Sequence, residues 1–374
     1  MDKTIFSNIS KIIERDKKSS TYKYALLRGT IDIIQENSPY LSSKNGKVYI
    51  PLGLLVEKWI LYYYPLYQLE ETIPQNTSKN SSFQKKLKSL IEFYDSKGGF
   101  SVFYNDLRNK SIPTEYRLDF FELLKTIRNT ITGMPMKHLG YSLNYEYNSV
   151  FIPHNKRIQK KDYLKYGVIE NIIEDFGMFS IPNEYFEMFK LLGSFVNGQD
   201  SILFKWAEFS ENTSRNNFTK QQVLNELLKT PVTKRNIIES KKLYEEILKK
   251  EGMFYCVWTG KKLTSLSDTN IDHMIPFAIW KNNDLWNLLP STPTINSKKR
   301  DKIPSPIIIE RQKDLILEYW SVIQKAQMER FSKEIQVSLL GNLPFSSWKE
   351  TGINQLKQSC TYLIENRGFE EWKN

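Results

Sequence analysis

Along most of the chain, apolar side chains recur every three or four residues, which is the spacing of amphipathic α-helices. The first third contains four such runs, at about residues 20–34, 54–60, 83–94 and 116–131. Four more helices are predicted between residues 181 and 250, at about 183–195, 201–209, 219–228 and 233–250. After residue 304 the pattern is again helical to the end. The chain is therefore predicted to be predominantly helical.

The pattern changes between about residues 250 and 306. Residues 253–258 are aromatic and β-branched and run into Thr259-Gly260, which predicts a strand followed by a turn. Residues 270–276 form a second short strand that ends at Pro276. Thr292 followed by Pro293 predicts a helix start, with a hydroxyl cap and a proline at the first helical position.

These elements predict an α+β fold in which a small strand–strand–helix module is embedded between helical regions. The predicted regions are a mostly helical N-terminal region, a helical connector, the module and a helical C-terminal region that packs on the rest. Their predicted bounds are 1–170, 171–250, 251–306 and 307–374.

Composition narrows the class of protein. The 374 residues carry a net charge of +11, which favours a polyanionic partner because Lys and Arg neutralise phosphates. Two cysteines rule out a disulfide scaffold and suit a reducing cytoplasm. The N-terminus lacks the apolar run of a signal peptide, and the most apolar stretch, about 48–67, is interrupted by charge and proline. We therefore expect a cytoplasmic protein that does not bind membranes.

The candidate chemistry lies in the embedded module. A carboxylate and an imidazole are adjacent at Asp272 and His273, and Asn296 follows about one turn inside the predicted helix. Carboxylate and amide oxygens suit Mg²⁺, and a neutral imidazole can take a proton from water. Neighbouring side chains on a strand point to opposite faces, so a bulge or strand end must bring the first two to one site.

The segment from about Met253 to Pro304 resembles the HNH endonucleases, which have the ββα-metal fold. The resemblance implies that His273 is the general base and that Asp272 and Asn296 bind Mg²⁺ or Mn²⁺. It also implies that Asn287 braces the loop of the catalytic motif. The spacing is especially similar to that in CRISPR effector nucleases and in HNH proteins of bacterial restriction and phage defence. The basic residues that follow are predicted to hold phosphate: Lys298, Lys299 and Arg300.

One feature departs from the family pattern. Many HNH proteins hold a structural zinc with two Cys-x-x-Cys pairs, whereas this chain has only Cys256 and the distant Cys360. Two distant thiols do not make a four-ligand site, so we expect no structural zinc.

The function predicted from these observations is metal-dependent cleavage of DNA, in restriction or anti-phage defence. The N-terminal region, a protein partner or a guide nucleic acid would direct or gate cleavage. Two alternatives remain open at this stage. One is a non-catalytic nucleic-acid-binding subunit with an HNH fold, and the other is an HNH nuclease that acts on RNA.

Overall fold

A computed structural model describes residues 5, 9, 18–77, 81–139, 149–194, 196–231 and 235–373. The chain divides into an N-terminal unit, residues 1–231, and a C-terminal unit, residues 232–374. The predicted fold class is confirmed, because helices dominate and short strands surround the candidate site. None of the helices in the described part of the chain combines the length and apolar character needed to span a bilayer.

The N-terminal unit contains an antiparallel sheet with the strand order β1-β2-β4-β3. Its strands are β1 Ser42–Lys44, β2 Lys47–Pro51, β3 Ile152–His154 and β4 Met178–Pro182. The β1–β2 turn falls at Asn45 and Gly46, which both have positive φ, of 51° and 71°. A two-residue turn of this kind matches the twist of antiparallel strands, and Asn-Gly tolerates it best.

Helices surround this sheet. They are α1 Tyr22–Gln35, α2 Leu52–Gln68, α3 Gln84–Asp95, α4 Phe100–Asn109, α5 Arg117–Gly133, α6 Pro135–His138, α7 Ile169–Asp175, α8 Asn183–Ser194, α9 Val196–Thr213 and α10 Lys220–Leu227. Helix α2 is buried on nearly all sides, as expected of a helix whose residues are apolar all round. Its buried charges have partners, since Arg108 pairs with Glu57 and Glu36 pairs with Lys58.

The C-terminal unit begins with helix α11, Ile238–Glu251, and holds three two-stranded sheets. Strand β5 Phe254–Tyr255 pairs with β6 Lys262–Leu263, and β7 Asn270–His273 pairs antiparallel with β8 Leu288–Ser291. Helix α12, Phe277–Trp280, follows β7, and helix α13, Pro293–Lys299, follows β8 and packs against β7.

Four further α-helices follow in this unit: α14 Pro306–Arg311, α15 Lys313–Ala326, α16 Met328–Ile335 and α17 Trp348–Thr361. The last strand, β10 Glu371–Trp372, pairs in parallel with β9 Ile303–Pro304. Trp372 thereby packs edge-on against Trp258, with ring centroids 5.1 Å apart. The C-terminal residues thus share one apolar core with the strands of the candidate site.

The observed division differs from the predicted regions. The predicted connector, 171–250, is split, because α8 to α10 lie in the N-terminal unit and α11 lies in the C-terminal unit. Leu243 and Tyr244 of α11 are buried in the same core as Trp258 and Trp320. The module at 251–306 and the helices that follow it form one unit, because their buried side chains share this core. Helical periodicity reveals a helix but not the core into which its apolar side packs.

Candidate active site

Strand β7 places Asp272 and His273 side by side in sequence and on opposite faces of the strand, as alternation requires. Both side chains are buried, with exposed fractions of 3% and 2%. In the antiparallel ladder Asp272 lies opposite Leu289 and His273 lies opposite Leu288. The strand ends immediately after His273, so the chain turns away at the point where the imidazole projects.

The Asp272 carboxylate is enclosed by two donors. The indole Nε1–H of Trp258 donates to Oδ2 at 2.7 Å, and the Lys299 ammonium lies 3.2 Å from both carboxylate oxygens. Burial raises the pKa of Asp272 above its ordinary value, and the positive charge of Lys299 opposes that rise. Asp272 is therefore held in a buried ion pair rather than facing water.

The structure corrects the predicted role of Lys299. This side chain is fully buried, and its ammonium also donates to the His273 backbone oxygen at 2.7 Å. A lysine enclosed in this way does not reach a phosphate at the surface, so it supports the motif from inside. Lys298 and Arg300, its two neighbours, are exposed, and their role as phosphate contacts stays a prediction.

The His273 imidazole is hydrogen-bonded to the loop that follows α12. Its Nε2 lies 3.3 Å from Asn283 Oδ1, and that oxygen also accepts the backbone N–H of Asn236 at 2.9 Å. Because the amide oxygen is an acceptor, Nε2 carries the proton and donates it. The other ring nitrogen, Nδ1, is buried and has no hydrogen-bond partner among the described residues.

Burial lowers the pKa of His273 to about 4, and the positive charge of Arg235 acts in the same direction. The imidazole is therefore neutral near pH 7, and the lone pair on Nδ1 is available. Asn283 was not predicted as a site residue. It belongs to a loop whose polar character is plain in the sequence, but no spacing rule distinguishes it from the neighbouring Asn282.

Asn287 holds the backbone just beyond His273. Its Oδ1 accepts the Ile275 N–H at 2.8 Å, and its Nδ2 donates to the Ile275 oxygen at 2.9 Å. Its own backbone oxygen accepts the Met274 N–H at 2.8 Å. Both ends of the side-chain amide are thus occupied by backbone, which is the bracing contact that the resemblance implied. Asn287 positions the motif and does not face a substrate.

Helix α13 begins as predicted. Thr292 caps it, with Oγ1 accepting the Ile295 N–H at 3.3 Å, and Pro293 occupies the first helical position. Asn296 lies one turn inside the helix and is half-buried. It precedes Lys299 by three residues, so both side chains project from neighbouring positions of the helix surface that packs on β7.

The donor set can be compared with the needs of a divalent cation. Among the described residues, no three His, Cys, Asp or Glu side chains are grouped to hold a metal ion. A carboxylate and an amide oxygen can nevertheless be the whole protein share of a Mg²⁺ site, since that ion keeps several waters. The oxygens of Asp272 and Asn296 fit this chemistry, on the condition that a cation shares Asp272 with the Lys299 ammonium or displaces it. Cys256 and Cys360 are both buried free thiols.

Two family models match the chain. Residues 2–227 match a family described as a domain of unknown function, DUF8808, and residues 256–305 match a family described as HNH endonuclease. The second match confirms the resemblance drawn from about residues 253–304. Comparisons with curated proteins and with solved structures found no match. The chain thus belongs to the DUF8808 family, whose match spans more than half of it, and carries an HNH endonuclease domain at residues 256–305.

Proposed function

We propose that the C-terminal unit hydrolyses DNA phosphodiester bonds in a reaction that depends on a divalent metal, with His273 as the general base. The observation that carries the proposal is the unpaired lone pair on His273 Nδ1. A buried nitrogen without a hydrogen-bond partner among the described residues calls for a reason. A general base awaiting a water molecule supplies that reason here.

The imidazole is in the protonation state that this role requires. It is neutral near pH 7, and its Nε2–H is held by Asn283, so only Nδ1 can take a proton. In the proposed step Nδ1 removes a proton from water, the water oxygen bonds to phosphorus, and the bond from phosphorus to the leaving sugar oxygen breaks. Proton transfer of this kind contributes about 10²–10⁴-fold to the rate.

Asp272 and Asn296 are the residues that would hold Mg²⁺ or Mn²⁺. Such an ion supplies positive charge to the phosphate and to the leaving oxygen. The buried position of Lys299 also changes the charge of this site. Its ammonium already neutralises Asp272, so the site maintains a balanced charge before any cation arrives.

Lys298 and Arg300 supply exposed positive charge at the end of α13, and the net charge of the chain is +11. These features support a nucleic-acid substrate, because backbone contacts from Lys and Arg fix the register of the bound strand. The restriction or anti-phage setting stays a prediction from the resemblance. So does a partner or guide that directs cleavage, for which the N-terminal unit is the proposed binding region.

The test is cleavage of a plasmid and of an RNA of matching sequence, with and without Mg²⁺ or Mn²⁺. We expect metal-dependent cutting of the plasmid that falls about 10²-fold or more in His273→Ala. His154→Gln is the matched control, because His154 is an exposed histidine of the N-terminal unit. Asn296→Ala should require more metal for half-maximal cutting.

Three outcomes would contradict the proposal. Cutting that survives in His273→Ala would exclude His273 as the base. Preferential cutting of RNA would overturn the proposed substrate. DNA binding without cutting by any variant in any metal would favour a binding subunit with an HNH fold.

A further inference from the structure

The contact that orients His273 comes from a short loop. Asn283 lies in the segment 281–284, between α12 and the turn that leads into β8. The segment starts at Lys281 in a left-handed conformation, with φ 54°. No regular ladder holds these residues, so the position of the Asn283 amide depends on contacts from elsewhere in the unit.

Helix α16 supplies these contacts. Arg330 Nη2 donates to the Asn283 backbone oxygen at 3.2 Å, and Arg330 Nε donates to Glu334 Oε1 at 2.6 Å. The other oxygen of Glu334 accepts the Leu285 N–H at 2.6 Å. The remaining arm of the guanidinium pairs with Glu239 on α11. Residues on both sides of Asp284 are therefore tied to one Arg–Glu contact, in which Glu334 is buried and Arg330 is half-buried.

The residue between them is also tied down. Asp284 Oδ2 accepts hydrogen bonds from Asn282 Nδ2 at 2.9 Å, from Trp286 Nε1 at 3.2 Å and from Ser338 Oγ at 3.0 Å. Three consecutive residues of the loop are thus anchored by side chains, three of which come from beyond the HNH match at 256–305. Arg330, Glu334 and Ser338 all belong to the C-terminal part of this unit.

We propose that Arg330 and Glu334 are positioning residues that hold Asn283 against His273 and so fix the proton on Nε2. The bond made by one imidazole nitrogen sets which nitrogen keeps the lone pair. Arginine suits the task because its rigid fork of donors reaches a backbone carbonyl and a carboxyl group together, whereas lysine offers a single point of charge. The catalytic consequence rests on the proposed nuclease function, but the effect on the imidazole does not.

The experiment is ¹⁵N NMR of histidine-labelled full-length protein at pH 7. The chain has three histidines, and His273→Gln assigns the signal of interest. The wild type is expected to show His273 as the Nε2–H tautomer. Asn283→Ala removes the acceptor and should give a mixture of tautomers. Arg330→Met should shift the tautomer in the same direction, with Glu334→Gln showing a smaller shift.

Arg330→Lys is the alternative variant in case Arg330→Met does not fold. It keeps a positive charge beside Glu334 but loses the planar fork of guanidinium donors. Lys357→Gln is the control, since it breaks a surface pair with Glu310 in the same unit. An unchanged tautomer in a folded Arg330 variant, alongside a changed one in Asn283→Ala, would reduce Arg330 to a structural role. An unchanged tautomer in both would remove Asn283 as the orienting group.

Cleavage kinetics form the second arm. If the nuclease function holds, Arg330→Lys should lower kcat about 10–100-fold with KM for DNA unchanged. A fall in DNA affinity alone would assign Arg330 to substrate binding instead. If the wild type does not cut DNA, the NMR result still tests whether Arg330 and Glu334 position Asn283. Only the proposed nuclease function would then be contradicted.

Discussion

Asp272 and His273 are adjacent on one strand and equally buried, yet their surroundings are opposite in kind. Every oxygen of Asp272 contacts a donor, from Trp258 or from Lys299. His273 has one bonded nitrogen and one that is buried without a hydrogen-bond partner in the part of the chain that the structure describes. Burial alone therefore does not identify a reactive side chain. What distinguishes the two is which of their hydrogen-bonding atoms are already satisfied.

The difference follows from their charges. A buried carboxylate must be paired, because an isolated charge in an apolar interior costs several kcal/mol. An imidazole avoids this cost by staying neutral, so one unpaired nitrogen is tolerable. In this structure the carboxylate oxygens of Asp272 are thus occupied by contacts within the fold, whereas one nitrogen of His273 has no hydrogen-bond partner among the described residues.

The largest expected effect on stability lies on the Asp272 side. Lys299→Met should lower the free energy of unfolding by about 3–5 kcal/mol, because it leaves the Asp272 charge buried and unpaired. Urea unfolding of the full chain, followed by tryptophan fluorescence, measures it. The matched control is Lys298→Met, which changes an exposed lysine next in sequence and should stay within about 0.5 kcal/mol.

The double variant Asp272→Leu/Lys299→Met sharpens this result, since removing both charges should recover much of the loss. Equal losses from Lys298→Met and Lys299→Met would contradict the buried ion pair. A loss of DNA affinity in Lys299→Met at unchanged stability would return Lys299 to its originally predicted role as a phosphate contact.

The next effect lies on the His273 side. Asn287→Ala should cost about 2–4 kcal/mol, because it leaves the buried N–H and carbonyl of Ile275 without partners. The same urea titration measures it, and cleavage should fall in parallel. Asn296→Ala serves as the control, since this half-buried asparagine should change stability by less than about 0.5 kcal/mol. A larger loss in Asn296→Ala than in Asn287→Ala would reverse the two assigned roles.

These contrasts show which features of the site a local sequence pattern can predict. The helix start at Thr292-Pro293 follows from cap chemistry, and the opposite faces of Asp272 and His273 follow from strand alternation. Both are local properties and both hold in the structure. The burial of Lys299 between two exposed basic residues depends on the phase of α13 against β7. A run of three basic residues does not reveal that phase.

Longer-range contacts were beyond prediction for a related reason. Asn283 reaches His273 only because Arg330 and Glu334, about 50 positions away in sequence, hold its loop. The apolar pattern of α16 predicts a helix, but it does not say which loop that helix meets. The strands and the helix start were therefore accessible from sequence, whereas the supports of the site were not.

A smaller loss of stability is expected when the hydrogen bond from Trp258 to Asp272 is removed. Trp258→Phe keeps an aromatic ring against Trp372 but removes the Nε1–H, and we expect a loss of about 1.5–3 kcal/mol, the range for hydrogen bonds to charged groups. Trp372→Phe is the control, because its indole makes no hydrogen bond in the described part of the chain. Equal losses in chemical unfolding would mean that ring packing, and not the hydrogen bond, supports Asp272.

The last effect concerns the charge of Glu334, and it is seen as a dependence of stability on pH. Burial, with help from the negative charge of Asp284, raises the pKa of Glu334 to about 8, and Arg330 opposes the rise. The folded state therefore holds a proton that the unfolded chain, with an ordinary pKa near 4.5, releases. The stability linked to this group is complete below that ordinary value and is lost as pH rises toward 8.

Glu334→Gln mimics the protonated form and lacks this titration. Between pH 5 and pH 8, the wild type should lose stability relative to Glu334→Gln by at most about 1.4 kcal/mol per pH unit. Urea titrations of both proteins at each pH measure the difference. A difference that stays flat would mean that the Arg330 charge outweighs burial and that Glu334 is ionised throughout. In that case a permanently charged pair would hold the loop of Asn283, as one holds Asp272. The surroundings of Asp272 and of His273 would then differ mainly in the nitrogen of His273 that has no hydrogen-bond partner among the described residues.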